Sequence, residues 1–384
     1  MHSDKKRWKC TFRRTLLIVP LTLLCLLLIP AIRQLLFEQV GRWLYILLFA
    51  FSASALLTPL MMFIAVRIGM VDSPGGRKIH AQATPLLGGV AIVVSFVSAL
   101  LANMILDGRD VALIVGGAVV AAVGLIDDWR GLLARNKLLV QVGVVIVLIR
   151  YGIILDLFPI HTTWGYLLNA ALTILWIVGL TNAMNFIDGM DGLATGVAAI
   201  ISLFMGIVAF ETDQPFMGWI AIAMLGSCLG FLPFNFSLHR PALIFLGDAG
   251  STFFGFVLSG LAIKASWAAD NPIVSFATPI LIFWLLIYDT AYISMERIIT
   301  GKVKGFRDWI DYVGTDHIHH RLLAVFGDRR KVVLFIYFFS ATLGISSITL
   351  RGAGTTDGIL TVVQAFLITV IVSILEYTGR NRPK

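Results

Sequence analysis

The chain has 384 residues, 58% of them apolar and 14% charged, against about 45–50% and about 25% in soluble domains. Together with a mean hydropathy of +0.89, this excludes a soluble globular enzyme. Three scattered cysteines (Cys10, Cys25, Cys228) give neither a disulfide framework nor a zinc cluster, and a net charge of +8 in a membrane protein belongs mainly to cytoplasmic loops and requires no nucleic acid.

Twelve apolar spans follow in order, at about 15–32, 43–66, 86–106, 111–126, 138–157, 166–184, 193–210, 216–234, 250–267, 274–297, 331–350 and 358–377. Runs of about 20 apolar residues are transmembrane helices. The expected fold is therefore all-α, a polytopic integral membrane protein with 11–12 transmembrane helices. Lys5, Lys6, Arg7, Lys9, Arg13 and Arg14 hold the N-terminus in the cytoplasm. Alternation from there leaves only Arg33, Arg42, Arg109, Arg150, Lys264 and Arg351, of 30 Lys and Arg, on the far side. The first span also has the basic start and apolar core of a signal peptide. Its Ile29–Arg33 end is a poor cleavage site, and Leu23-Leu24-Cys25 is a poor lipoprotein box. The expected division is a basic N-terminus and extra helix over 1–42, a catalytic membrane domain over 43–350, and a last helix with a cytoplasmic tail over 351–384.

The same parity puts each unusual polar cluster on the cytoplasmic side. The first, Asp72 to Thr84, is basic and glycine-rich, and its Lys78 and His80 are candidates for phosphate contact; a plain positive-inside loop explains them too. The second, Asp127-Asp128, ends the fourth span, where the helix dipole disfavours negative charge. These acids need a metal, Arg130, Arg135 or Lys137, and one of two adjacent carboxylates is suited to act as a base.

The third runs from Thr181 to Leu193 and brings Asn182, Asn185, Asp188 and Asp191 at three-residue spacing to the end of an apolar run. On a helix persisting to Gly189 the four share roughly one face. Carboxylates beside a hydrophobic span are costly unless paired, coordinated or lining a wet cavity. In the fourth, Phe245-Leu-Gly-Asp248-Ala-Gly-Ser-Thr252, Asp248 reads either as a helix N-cap or as part of a phosphate site. The fifth, Asp316-His317-Ile-His319-His320-Arg321, lacks nearby cysteine and the two-histidine helical register of a zinc site. A surface for a nucleotide-sugar diphosphate suits it better. Asp289, inside the tenth span, faces a bundle interior or a cavity by default. Arg297 lies eight residues further on, about 12 Å along a helix, too far for a direct pair.

In this order, the five clusters resemble the polyprenyl-phosphate N-acetylhexosamine-1-phosphate transferase family, over about residues 43 to 350. The resemblance rests on Asp127-Asp128, Asn182-x-x-Asn185-x-x-Asp188-Gly-x-Asp191-Gly, Phe245-x-Gly-Asp248-x-Gly-Ser251 and His317-x-His319-His320. The first span and Gly305 to Val313 lie outside the pattern. The resemblance implies transfer of a sugar-1-phosphate from a UDP-sugar to a polyprenyl phosphate, with release of UMP. It implies Asn185 and Asp248 as Mg²⁺ ligands, with Mn²⁺ as a substitute, and Phe245 as the ring that stacks on uracil. It also implies that Asn182, Asp188, Asp191, His317, His319, His320 and Arg321 bind nucleotide or sugar. Asp127-Asp128 correspond to the family's acidic pair, and Lys78, His80 and Lys137 are assigned to lipid phosphate. Asp289 and Arg297 are assigned to structure or site.

The interrupted histidine run, with no Glu shortly after it, is similar to the N-acetylglucosamine branch. The expected donor is UDP-GlcNAc and the expected acceptor undecaprenyl phosphate in the bacterial inner membrane, at the start of a lipid-linked cell-envelope glycan. UDP-GalNAc and UDP-MurNAc-pentapeptide are the rival donors, and a homodimer is compatible with all of this. The rival class, a secondary transporter or channel, would hold its ionisable groups near the bilayer midplane in repeated halves. Here the acids sit at inner helix ends and no repeat is evident.

Overall fold

A computed structural model describes residues 17–72, 83–104, 106–265, 267, 272–305, 308, 312, 314, 316–350 and 354–380. Lys78 and His80 lie outside the described residues, as does most of 305–313.

Helices fill the places of all twelve apolar spans. Among the described residues, seven are long and apolar enough to cross a membrane, or nine if each of two bent pairs is one span. The seven are α3 (Arg42–Ile68), α5 (Gly108–Arg130), α7 (Thr163–Ile187), α8 (Leu193–Glu211), α9 (Pro215–Asn235), α14 (Arg329–Thr349) and α15 (Thr355–Arg380). The chain is a multi-pass membrane protein. The bent pairs are α1 (Leu17–Leu27) with α2 (Pro30–Gln39), at 86°, and α11 (Pro272–Ile282) with α12 (Trp284–Ile299), at 77°. Both were expected as single spans. Pro30 cannot donate into the preceding turn, so the first break falls just before it. The second falls at Phe283, four residues after Pro279. The other three expected positions hold α4 (Gly88–Asn103), α6 (Ala134–Arg150) and α10 (Gly247–Lys264), of 16, 17 and 18 residues. The histidine segment forms a short helix, α13 (Ile318–Phe326). Two residue pairs, Val71–Asp72 and Thr84–Pro85, make the one small sheet among the described residues, antiparallel, with Val71 opposite Pro85.

The centre of the bundle is α8, α9 and α10, apolar nearly all round and buried. That is the pattern of a helix enclosed by others. Helix α10 packs on α5, α7 and α4, so the ends of these helices are brought together. Helices α5 and α10 run antiparallel and are joined by charge at one end, where Lys264 bonds Asp107 and Asp110, themselves the two halves of the α5 capping box. At the other end their backbones nearly touch. A methyl group on Gly124 would meet the backbone of Asp248 and Ala249, and one on Gly89 would meet Gly250. Only glycine allows that approach. Gly89→Ala is accordingly expected to destabilise the protein by about 1–3 kcal/mol, the usual cost of overpacking, read as a lower thermal transition of the detergent-solubilised protein. An unchanged transition would mean that α4 and α10 separate easily.

Candidate active site

Where α5, α6, α7 and α10 end together, their polar residues form one bonded cluster. Asp248 lies in the first turn of α10, whose N-cap is Leu246. The N-cap alternative is thereby removed: the Asp248 carboxylate faces across the bundle. Its Oδ1 accepts from Asn185 Nδ2 at 2.9 Å and its Oδ2 from Lys137 Nζ at 2.9 Å. Asn185, on the last turn of α7, also donates to Ser251 Oγ at 2.9 Å. Lys137, on the first turn of α6, makes a second ion pair with Asp127, whose other oxygen accepts from Leu132 N.

Asp128 has a different partner from its neighbour. Its two oxygens accept from the backbone N–H of Asp248 at 3.0 Å and Ala249 at 3.3 Å. It thus caps α10 from a neighbouring helix, where an anion is favoured by unsatisfied N–H groups and by the helix dipole. The two adjacent acids divide their work: Asp127 fixes the lysine and Asp128 fixes the helix carrying Asp248.

The four-residue register of the third cluster is only partly realised, because α7 ends at Ile187. Asn185 reaches the cluster. Asn182 does not: its amide donates to Gln141 Oε1 at 2.7 Å and Val178 O at 2.8 Å, inside the bundle. Asn182 thus links α7 to α6. Asp188 is the C-cap position, and burial, then the charges of Asp248, Asp128 and Asp191, hold its carboxyl well above the usual carboxylate range. Asp191 lies beyond the helix and accepts from Ala242 N at 2.8 Å. It lines a cavity of about 350 Å³ with Phe236, Ser237, Arg329 and Arg330. Phe245, half-buried, is held by its backbone, accepting from Gly88 N at 3.1 Å and donating to Pro85 O at 2.9 Å.

The histidine helix abuts the same turn. His319 is 1% exposed, and a methyl group on Gly189 would collide with its Nε2. Neither ring nitrogen has a hydrogen-bond partner among the described residues. Burial, then the charges of His320, His317 and Arg321, hold the imidazole well below its ordinary range, so it is neutral. His320 is half-buried on the same helix and lowered by burial and by His317 and Arg329. The ring of His317 lies 5.2 Å from that of Phe186, the neighbour of Asn185.

Arg321 pairs with α15. It is 1% exposed and turned into the bundle, with Nε 2.8 Å from Glu376 Oε2 of α15 and Nη1 2.9 Å from Asp316 O. Its guanidinium also lies 4.1 Å from the centre of the Tyr292 ring. Asp289 and Arg297 do not pair with each other. Asp289 bonds His317 and the Ile318 N–H, while Arg297 holds Asp316 through two 2.8 Å bonds.

The cluster gains Ser251 through Asn185, while Gln141 and Glu376, neither of them anticipated, partner Asn182 and Arg321 away from it. Ser251 sits three residues after Asp248 and Gln141 four after Lys137, helical spacings that share a face. Glu376 is an acid in an apolar final helix, itself a signal. Among the described residues no three His, Cys, Asp or Glu form a ready-made metal cage. The oxygens of Asp248 and the free Oδ1 of Asn185 are the donors best placed for a hard cation.

Comparison with known proteins identifies the family. Residues 111–266, spanning Asp127 to Asp248, match the family model described as glycosyl transferase family 4. The chain is 35% identical over 304 residues to a Bacillus subtilis protein named probable undecaprenyl-phosphate N-acetylglucosaminyl 1-phosphate transferase, covering 78% of this chain and 82% of that one. It is 33% identical to the decaprenyl-phosphate N-acetylglucosaminephosphotransferase of Mycobacterium tuberculosis, covering 72% and 74%. Identity is 26% to the undecaprenyl-phosphate alpha-N-acetylglucosaminyl 1-phosphate transferase of Escherichia coli K12, covering 73% and 77%. With the acidic pair, Asn185 and Asp248 bonded into one site, the chain belongs to the polyprenyl-phosphate N-acetylhexosamine-1-phosphate transferases, within glycosyl transferase family 4.

Proposed function

We propose that this protein transfers N-acetylglucosamine-1-phosphate from UDP-GlcNAc to undecaprenyl phosphate, releasing UMP, at the cytoplasmic face of a bacterial inner membrane. The observation that carries the reading is the single bonded cluster of Asp127, Asp128, Lys137, Asn185 and Asp248 at the ends of four helices. The names of the three relatives support the sugar, and those of two of them support undecaprenyl phosphate as the lipid. Basic-residue asymmetry supports the orientation.

In this reaction an oxygen of the lipid phosphate attacks the sugar-bearing phosphorus of the donor. A new P–O–P bond forms, and the bond to UMP breaks with its electron pair leaving on the nucleotide. Catalysis of such transfers is mainly positioning and charge neutralisation. The lipid phosphate is mostly dianionic at neutral pH, with a second pKa of about 6 by analogy with phosphoserine, so a strong base is not required. Lys137 carries three N–H donors. Two go to Asp127 and Asp248, leaving one for a phosphate oxygen. Asp128 keeps the start of α10 in place while Asp248 faces the diphosphate.

Mg²⁺ suits these residues. It takes one or two protein oxygens, keeps several waters and completes its shell with substrate phosphates. Asp248 and Asn185 would hold it, and when bound it supplies positive charge against the diphosphate. Burial, then the charges of Asp248, Asp128 and Asp191, push the Asp188 carboxyl up, and the concentration of carboxylates suits a divalent cation.

Purified protein with Mg²⁺ and undecaprenyl phosphate is expected to release UMP from UDP-GlcNAc and to move sugar radiolabel into the organic phase. UDP-MurNAc-pentapeptide should give little. Preference for the pentapeptide, or for UDP-GalNAc, would overturn the sugar assignment, and no lipid product from any donor would overturn the reaction.

A further inference from the structure

Helix α13 is held by acids and bases from two helices outside the catalytic cluster. From α12, Asp289 sends Oδ2 to His317 Nδ1 at 2.8 Å and Oδ1 to Ile318 N at 2.7 Å. Asp289 is 4% exposed and His317 8%. An ionised carboxylate only accepts hydrogen bonds, so Nδ1 carries the proton in this contact. In a neutral imidazole this contact selects one tautomer, with the lone pair on Nε2. The same carboxylate caps the first turn of α13, so ring and helix cannot rotate independently. Arg321 approaches Asp289 Oδ1 at 3.6 Å and is itself bonded to Glu376, while Arg297 anchors Asp316 just before the helix. The ring so fixed stands against Phe186, on the end of α7 that also carries Asn185.

We infer that Asp289 is a positioning residue for the transfer: it sets the tautomer and orientation of His317 so that Nε2 accepts a hydrogen bond from a hydroxyl or amide N–H of the donor sugar. The inference rests on the proposed reaction but makes a separate claim. A carboxylate that orients an imidazole is distinguished from one that only packs by what asparagine does in its place. The side-chain amide of Asp289→Asn would present either oxygen or N–H to Nδ1 at almost unchanged volume, and an N–H there inverts the tautomer. Removal of such an orienting partner typically costs 10–100-fold.

The experiment is a double-mutant cycle on the full-length protein, with UDP-GlcNAc and undecaprenyl phosphate as probes. Asp289→Asn is expected to lower kcat/KM for UDP-GlcNAc by roughly tenfold to a hundredfold and to leave KM for undecaprenyl phosphate within about twofold. His317→Gln should lower it comparably, and the double variant should be no worse than the more severe single one, because both remove the same interaction. Additive losses, or an Asp289→Asn enzyme with unchanged kinetics, would overturn the inference. If Asp289→Asn does not fold, ¹⁵N NMR of histidine-labelled wild-type protein decides, with the His317 signals assigned by their loss in His317→Gln. A protonated Nδ1 and unprotonated Nε2 support the inference, and the reverse tautomer overturns it. A wild type inactive with every donor would sink the proposed function, whereas an active wild type with an indifferent Asp289→Asn sinks this inference alone.

Discussion

Asp248→Asn should lower sugar-phosphate transfer by about a thousandfold while leaving the protein folded. Removal of one preorganised charge-stabilising group commonly costs 10²–10³ in rate. Asp248 joins Asn185 and Lys137 through one carboxylate, so both the charge and the arrangement depend on it. The fold should survive because the helix N-terminus is capped by Asp128, through backbone N–H groups that the substitution leaves in place. The loss of one negative charge in the first turn costs only about 0.3–1 kcal/mol. The measurement is kcat at saturating Mg²⁺ beside a thermal melt. Activity within threefold of wild type would remove Asp248 from the site.

Lys137→Met carries the second large effect, about 10²–10³ in kcat/KM. Lys137 is the cation between Asp127 and Asp248; without it two carboxylates face each other with their mutual repulsion uncompensated. The methionine keeps most of the apolar stem, so packing changes little. Lys137→Arg should recover part of the loss, since it restores charge but not the compact geometry of an ammonium. An unaffected Lys137→Met enzyme would show that the ion pairs are structural and that phosphate is neutralised elsewhere. Titration of Mg²⁺ in the same variant separates charge from coordination: partial rescue by excess metal is the expected pattern.

The apolar runs were legible because hydrophobic length is a property of neighbouring residues, and helices fill all twelve expected places. The breaks at Ile29 and Phe283 were not, although a proline lies near each. A proline permits a bend, but the packing around it decides the angle. Asn185 lies within hydrogen-bond distance of Asp248, whereas Asn182, expected on the same helix face from its spacing, bonds Gln141. Helical periodicity predicts a shared face only while the helix continues, and α7 ends at Ile187. Arg321 has a partner that the sequence hid, for a related reason. Its motif lies in a polar segment, but the partner that draws it inward, Glu376, is 55 residues away in the final helix. Distant ion pairs leave no local trace.

The joining of α5 and α10 at both ends has a mechanical consequence. One end is tied by Lys264 to Asp107 and Asp110, and the other by Asp128 to the backbone of Asp248 and Ala249. A bilayer thinner or thicker than the apolar length is normally met by tilting individual helices, at a fraction of a kcal/mol per Å. Here the two helices cannot slide past one another without breaking an ionic tie, so they lean as one strut. Changes in lipid thickness are thus expected to alter the inclination of the pair as a unit, while the contact between Asp128 and the start of α10 is kept. The end of α10 that carries Asp248 is then expected to tilt with α5 rather than part from Asp128.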